Sequence, residues 1–274
     1  MGFEPTVRLS SDTRFPVVPI QPGSRTSPYI LYIITNFSEL GRGCQVGWVN
    51  GINLAVMKGV IWDMDGVLVD SAPFHFEAWK KIWEEKGIPF SFEDFKKIFG
   101  MRNDAIIRYF LGENVSLEEI EEIGRRKEEY FRSMAKGKIS PQEGLVELLE
   151  ALREEGFKHA VASSGPRENV EFVVKELGIL SFFEVLIAGE DVSHSKPHPE
   201  IFLKASERLG IPPARCIVVE DSPAGIEGAK RAGMKCIAVV GKEGRTEGGD
   251  LIVKDFCGLK PEDFLRLLSL DSCK

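Results

Sequence analysis

From Met57 onward, five short apolar runs alternate with stretches of helical period, and that alternation leaves few folds open. The runs are GVIWD (59–63), KHAVAS (158–163), VLIA (185–188), CIVVE (216–220) and CIAVV (236–240). A strand with one wet face alternates apolar and polar residues. Near-continuous apolar strands separated by helices belong instead to a parallel sheet covered on both faces. Helices are predicted between these strands at 143–155, 166–177, 198–209 and 223–232, with a last short strand near 251–253 and a helix at 261–269.

The first and second strands are separated by helices alone, predicted at 73–87, 92–99, 103–111 and 116–137. Ser91 with Asp94 and Ser116 with Glu119 suit their N-termini. The longest of them reads as a solvated surface with one apolar stripe of Leu117, Ile120, Ile123, Tyr130 and Met134. The expected fold class is α/β: a doubly wound parallel sheet from residues 57–71 and 139–274, with an all-helical cap, 72–138, inserted. No internal repeat is evident.

Residues 1–56 differ in character, with Pro5, Pro16, Pro19, Pro22 and Pro28 among many Ser, Thr and Gly. They read as a disordered tail, or as an upstream frame ahead of a true start at Met57. The other reading is an extension packed on the core, with YILYIIT (29–35) as an added strand. That apolar run is far shorter than the roughly 20 residues of a membrane helix, and no signal-peptide pattern precedes it.

A net charge of −7 gives no electrostatic basis for binding nucleic acid or an anionic membrane. The five cysteines, Cys44, Cys216, Cys236, Cys257 and Cys273, form no C-x-x-C pair, which suits a reducing, cytoplasmic setting.

Ligands of open parallel sheets bind beyond the carboxyl ends of the strands. Here those ends carry Asp63-Met64-Asp65-Gly66, then Ser163-Ser164-Gly165, then Lys196-Pro197 after the third strand, then Glu220-Asp221-Ser222. Each alone is ordinary: a turn closed by Gly66, a serine N-cap, a surface loop, a helix start with Pro223 at its first position. Together they gather several carboxylates, a lysine and a hydroxyl on one edge. So many acids repel unless a cation neutralises them, and all-oxygen ligands favour Mg²⁺. The lysine and hydroxyl suit phosphate oxygens.

In this order the segments DMDGVLVDS (63–71), VASSG, SKPHPEIF and VVEDSPAGIEGAKRAGM resemble the four motifs of the haloacid dehalogenase (HAD) superfamily. Phe74-His75, Trp79 and Phe99-Gly100-Met101-Arg102 in the cap resemble its branch of beta-phosphoglucomutases, phosphoglycolate phosphatases and sugar-phosphate phosphatases. The resemblance implies that Asp63 is the nucleophile and Asp65 the general acid and base. It further implies phosphate binding by Ser163, Ser164 and Lys196. Mg²⁺ would be held by Asp63, the Asp65 backbone carbonyl, Asp221 and Glu220, the last directly or through water. His75, Trp79 and Arg102 are the expected cap contacts to substrate.

The expected activity is hydrolysis of a small phosphorylated metabolite, a sugar phosphate or phosphoglycolate, through an aspartyl-phosphate. A hexose-phosphate mutase is the alternative. Phe99 stands where such mutases carry a lysine before the glycine, which favours the hydrolase. No nucleic-acid or membrane partner is expected, and the chain is expected to be a monomer or weak homodimer.

Overall fold

A computed structural model describes residues 46–49, 52–55, 57–240 and 247–269. The chain divides into two compact units, residues 1–55 and 56–274. In the first unit, β1 (Val46–Val49) and β2 (Ile52–Ala55) pair as an antiparallel hairpin. The sequence reading of a tail with no strands did not anticipate it. Asn50-Gly51 between two β-prone runs is the signal that was available. The run at 29–35 and the rest of 1–45 lie outside the described residues.

The second unit is built on six parallel strands: β3 (Lys58–Trp62), β4 (Phe157–Ala162), β5 (Phe183–Ile187), β6 (Cys216–Glu220), β7 (Lys235–Val239) and β8 (Leu251–Val253). Their spatial order is β5-β4-β3-β6-β7-β8. The chain builds outward from β3 on one side and then on the other, so the switch in direction falls between β3 and β6. A crevice opens beyond the strand ends at such a point.

Helix α1 (Ala72–Glu85), α2 (Phe92–Ile98), α3 (Asn103–Leu111) and α4 (Leu117–Ala135) follow β3. The later helices are α5 (Leu145–Glu154), α6 (Arg167–Glu176), α7 (Glu200–Leu209), α8 (Pro223–Arg231) and α9 (Pro261–Ser269). Successive side chains of β3 enter opposite layers. Val60 and Trp62 pack with Leu145, Leu149 and Val170, and Ile61 packs with Phe202, Ala205 and Ile226. Burial on both faces is why these strands read as unbroken apolar runs.

Helices α1 to α4 hold a separate apolar cluster that includes Trp79, Trp83, Phe95, Ile107, Ile120 and Ile123. The stripe expected on α4 needs correction. Leu117 is 70% exposed, although Ile120 in the same turn is buried. The buried face is Ile120, Ile123, Gly124, Lys127, Glu128, Phe131 and Ala135.

A buried histidine lies inside the sheet. His159 on β4 is fully buried and accepts a hydrogen bond from Trp62 Nε1 at 3.1 Å. Burial, together with the positive charge of Arg153, pushes its pKa down to about 4. The unfolded chain therefore takes up a proton at His159 between the ordinary pKa of 6.5 and about 4, and the folded chain does not. Stability present above pH 6.5 is lost as pH falls through that window, by up to about 3 kcal/mol. His159→Gln keeps an acceptor for Trp62 and should flatten this slope in melting curves recorded from about pH 7 to pH 4. An unchanged slope would assign the acid lability to other groups.

Candidate active site

The crevice beyond β3 and β6 is where the strand-end motifs meet. Asp63 follows β3 directly, and its N–H donates to the Val219 carbonyl at 2.9 Å, tying it to β6. The chain then turns back on itself, with Gly66 N–H donating to Val69 O and Leu68 N–H to Met64 O. Gly66 takes φ +84°, and a Cβ there would lie 2.0 Å from Asp221 Oδ2. Both reasons restrict the position to glycine. Gly225 in α8 plays the same part for Glu220: a Cβ would fall 1.8 Å from Glu220 Oε1.

Three acids converge. Asp63, Glu220 and Asp221 present ligand oxygens that all lie within 4.8 Å of one another. Lys196 Nζ reaches into the group, donating to Asp63 Oδ1 at 2.5 Å, Glu220 Oε1 at 2.6 Å and the Ala162 carbonyl at 3.2 Å. The other oxygen of Glu220 accepts from the N–H groups of Asp221 and Ser222 and from the Ser222 hydroxyl, all within 2.9 Å. Both oxygens of Glu220 are thus engaged, which orients it.

The electrostatics show the strain of this crowding. Burial raises the Asp63 carboxyl well above its ordinary range. Lys196 opposes that, and Glu220, Asp221 and Asp65 reinforce it. Asp221 is pushed up to about 8 by burial and by Glu220. Lys196 is raised despite its burial, because Asp63 and Glu220 hold its charge. A divalent cation would relieve the same repulsion, and the donors are all hard oxygens.

Ser163 follows β4, is buried, and its hydroxyl accepts from Gly165 N–H at 3.0 Å. Ser164 lies beside it on the same wall of the cleft.

Asp65 faces the opposite way, toward the cap helices. Its Oδ1 accepts from the Ser71 hydroxyl at 2.5 Å and lies 3.3 Å from His75 Nε2. Burial alone would raise its pKa, but the hydrogen bonds from His75 and Ser71 and the Lys127 charge outweigh it and hold Asp65 low.

His75 is fixed from behind by a residue the sequence reading left in solvent. Lys127 Nζ sits 2.9 Å from His75 Nδ1, and the imidazole stacks on Phe131 with centroids 3.9 Å apart. An ammonium only donates, so Nδ1 accepts and the Nε2 proton points at Asp65. Lys127 in turn pairs with Glu128 at 2.9 Å. Glu128 accepts from Asn103 at 2.8 Å and from Asn169 of α6 at 2.6 Å. The missed signal was spacing: 120, 123, 127 and 131 share one helical face, so Lys127 sits on the apolar stripe.

Trp79 was expected against substrate. It lines the cleft but is only 2% exposed, stacking on Trp83 at 5.4 Å, with Lys127 Nζ 5.4 Å from its ring. Arg102 caps the start of α3, pairs with Asp104 at 3.2 Å and lines the cleft from the cap side. No helix among the described residues is long and apolar enough to cross a membrane.

A parallel sheet with an acidic crevice at its switch point and a helical insertion after the first core strand is the architecture of a capped, doubly wound α/β enzyme. A sequence profile of the haloacid dehalogenase-like hydrolases matches residues 60–239, and the chain belongs to that family as a hydrolase of the phosphatase kind. It is similar to a phosphorylated carbohydrates phosphatase of Thermotoga maritima, 31% identical over 213 residues that cover 77% of this chain and 98% of that protein. It is also 33% identical to a beta-phosphoglucomutase of Bacillus subtilis, over 75% of this chain and 93% of the relative. Its fold superposes on the crystal structure of CbbY from Rhodobacter sphaeroides in complex with phosphate. That match has a TM-score of 0.68 and 28% identity, and covers 74% of this chain and 96% of the other.

Proposed function

We propose that this protein is a Mg²⁺-dependent phosphatase of small phosphorylated carbohydrates, working through an aspartyl-phosphate on Asp63. The observation that carries the reading is the convergence of Asp63, Glu220 and Asp221 within 4.8 Å beside the buried Lys196. The carbohydrate class rests on the phosphatase relative from Thermotoga maritima.

The ion would be held by Asp63, the Asp65 carbonyl and Asp221, with Glu220 direct or through water. When bound it supplies positive charge that screens Asp63 from the phosphate dianion. An Asp63 oxygen attacks phosphorus, the bond to the sugar oxygen breaks, and Asp65 gives that oxygen a proton. Water then attacks the phosphoryl group, Asp65 takes its proton, and inorganic phosphate leaves Asp63. Ser163, Ser164 and Lys196 hold the phosphoryl oxygens as charge builds.

Asp65 is held low while it faces Ser71 and His75. An incoming dianion raises it, which suits it to act first as acid and then as base. Residues 72–138 act as the cap, with His75 positioning Asp65 and Arg102 facing the part of the substrate remote from the reacting phosphate.

The test is a panel of phosphorylated sugars and phosphoglycolate assayed for free phosphate. Release with Mg²⁺ and loss of release with EDTA are expected, with the sugar phosphates turned over fastest. Conversion of glucose 1-phosphate to glucose 6-phosphate without net phosphate release would replace this reading with the mutase. Turnover undiminished in EDTA would remove the metal.

A further inference from the structure

The segment that carries Lys196 also carries a second group of metal-type ligands, on its outer side. His194 and His198 lie exposed either side of Lys196, with ring centroids 4.4 Å apart. Glu200, at the first turn of α7, completes the set, and the donor atoms of all three fall within 4.8 Å of one another. None of the three belongs to the phosphoryl-transfer machinery described above.

We propose that His194, His198 and Glu200 form a site for a borderline divalent transition ion such as Zn²⁺ or Ni²⁺, separate from the Mg²⁺ site, and that the bound ion clamps the Lys196 segment. Two imidazoles and one carboxylate select such ions over Mg²⁺ or Ca²⁺, which prefer oxygen alone.

The carboxylate is already held in place. Glu200 accepts from Ser193 N–H at 3.1 Å and from His194 N–H at 3.0 Å, and pairs with Lys204 at 2.9 Å. Those bonds keep Glu200 ionised, with its pKa lowered to about 2. His194 Nδ1 lies 3.1 Å from Glu200 Oε2, so ring and carboxylate already face each other where an ion would take both. His198 Nδ1 accepts a long 3.3 Å bond from Glu200 N–H. That fixes the ring beside the carboxylate at little cost if the ring turns toward an ion.

The ion would join the start of the loop at His194 to the start of α7 at Glu200. Lys196 lies between these anchors. Lys204 is the opposing charge: its ammonium beside Glu200 repels a cation.

Nickel titration by calorimetry, on the full chain in saturating Mg²⁺, tests the site. Wild type should bind one more Ni²⁺ per chain than the His194→Ala/His198→Ala variant. Lys204→Gln should tighten that ion several-fold, an effect that adventitious binding to surface histidines would not give. Hydrogen exchange in residues 193–200 should slow with Ni²⁺ in wild type and not in the double variant. Equal nickel binding by both proteins would overturn the site. So would binding that appears only as Ni²⁺-linked dimers in sedimentation, and unchanged exchange would overturn the clamp. The phosphatase reading stands or falls separately, on the Mg²⁺ assay.

Discussion

Asp63→Asn should abolish phosphate release from every substrate, by at least about 10⁴-fold, the scale of losing an essential nucleophile. The fold should survive the change. The new amide keeps an acceptor for Lys196, whose Nζ lies 2.5 Å from Asp63 Oδ1. It also removes one charge from a crowded site, where burial, Glu220, Asp221 and Asp65 push the Asp63 carboxyl well above its usual range. Metal-free stability should therefore stay within about 1 kcal/mol of wild type, or rise. Affinity for Mg²⁺ should fall, because a neutral oxygen replaces a charged ligand. The measurements are steady-state phosphate release, melting temperature with and without Mg²⁺, and acid-quenched capture of the phosphoenzyme. A variant that still turns over at wild-type rate, or still traps phosphate on the protein, would move the nucleophile elsewhere.

Much of this site was legible because its parts sit at the ends of unmistakable strands. β3, β4, β6 and β7 are buried on both faces, so their sequences lack the alternation that makes half-exposed strands ambiguous. Once the strands are placed, the strand-end rule puts Asp63, Ser163, Lys196 and Asp221 on one edge. Lys127 and Glu128 were not legible in the same way. Their partners, His75 and Asn169, are distant in sequence and come from different elements, so only the packing of α4 against α1 and α6 shows that two charges on a highly charged helix are buried. Leu117 failed in the opposite direction: helical spacing identifies a face, but not how far along that face the neighbouring helices extend. The hairpin of β1 and β2 is a simpler miss, a two-residue turn signal overlooked in a segment read as a tail from the prolines at 5–28.

Lys196→Met is expected to cost stability as well as activity, and the pH dependence of the stability loss separates the two roles. The lysine side chain is 8% exposed and lies between Asp63 and Glu220. Methionine fills similar space but leaves two buried carboxylates facing each other, with Asp221 alongside. Breaking a buried pair in this way costs about 3–5 kcal/mol unless the stranded acids take up protons. Their pKa values, already raised at Asp63 and Asp221, would rise further. A raised folded-state pKa gives stability that is complete below the unfolded value and is lost as pH climbs through the folded one. The variant should therefore melt close to wild type near about pH 4 and fall well below it by about pH 8. Mg²⁺ should restore much of the deficit at high pH, since a cation among the acids replaces the missing ammonium charge. Turnover should remain depressed by roughly 10²- to 10³-fold even in Mg²⁺, because a fixed donor to the phosphoryl oxygens is gone. Adding Glu220→Gln to Lys196→Met should recover stability at pH 8 without recovering turnover. If Lys196→Met melts like wild type at pH 8 in EDTA, the lysine is not what balances these acids, and the electrostatic account of the site fails with it.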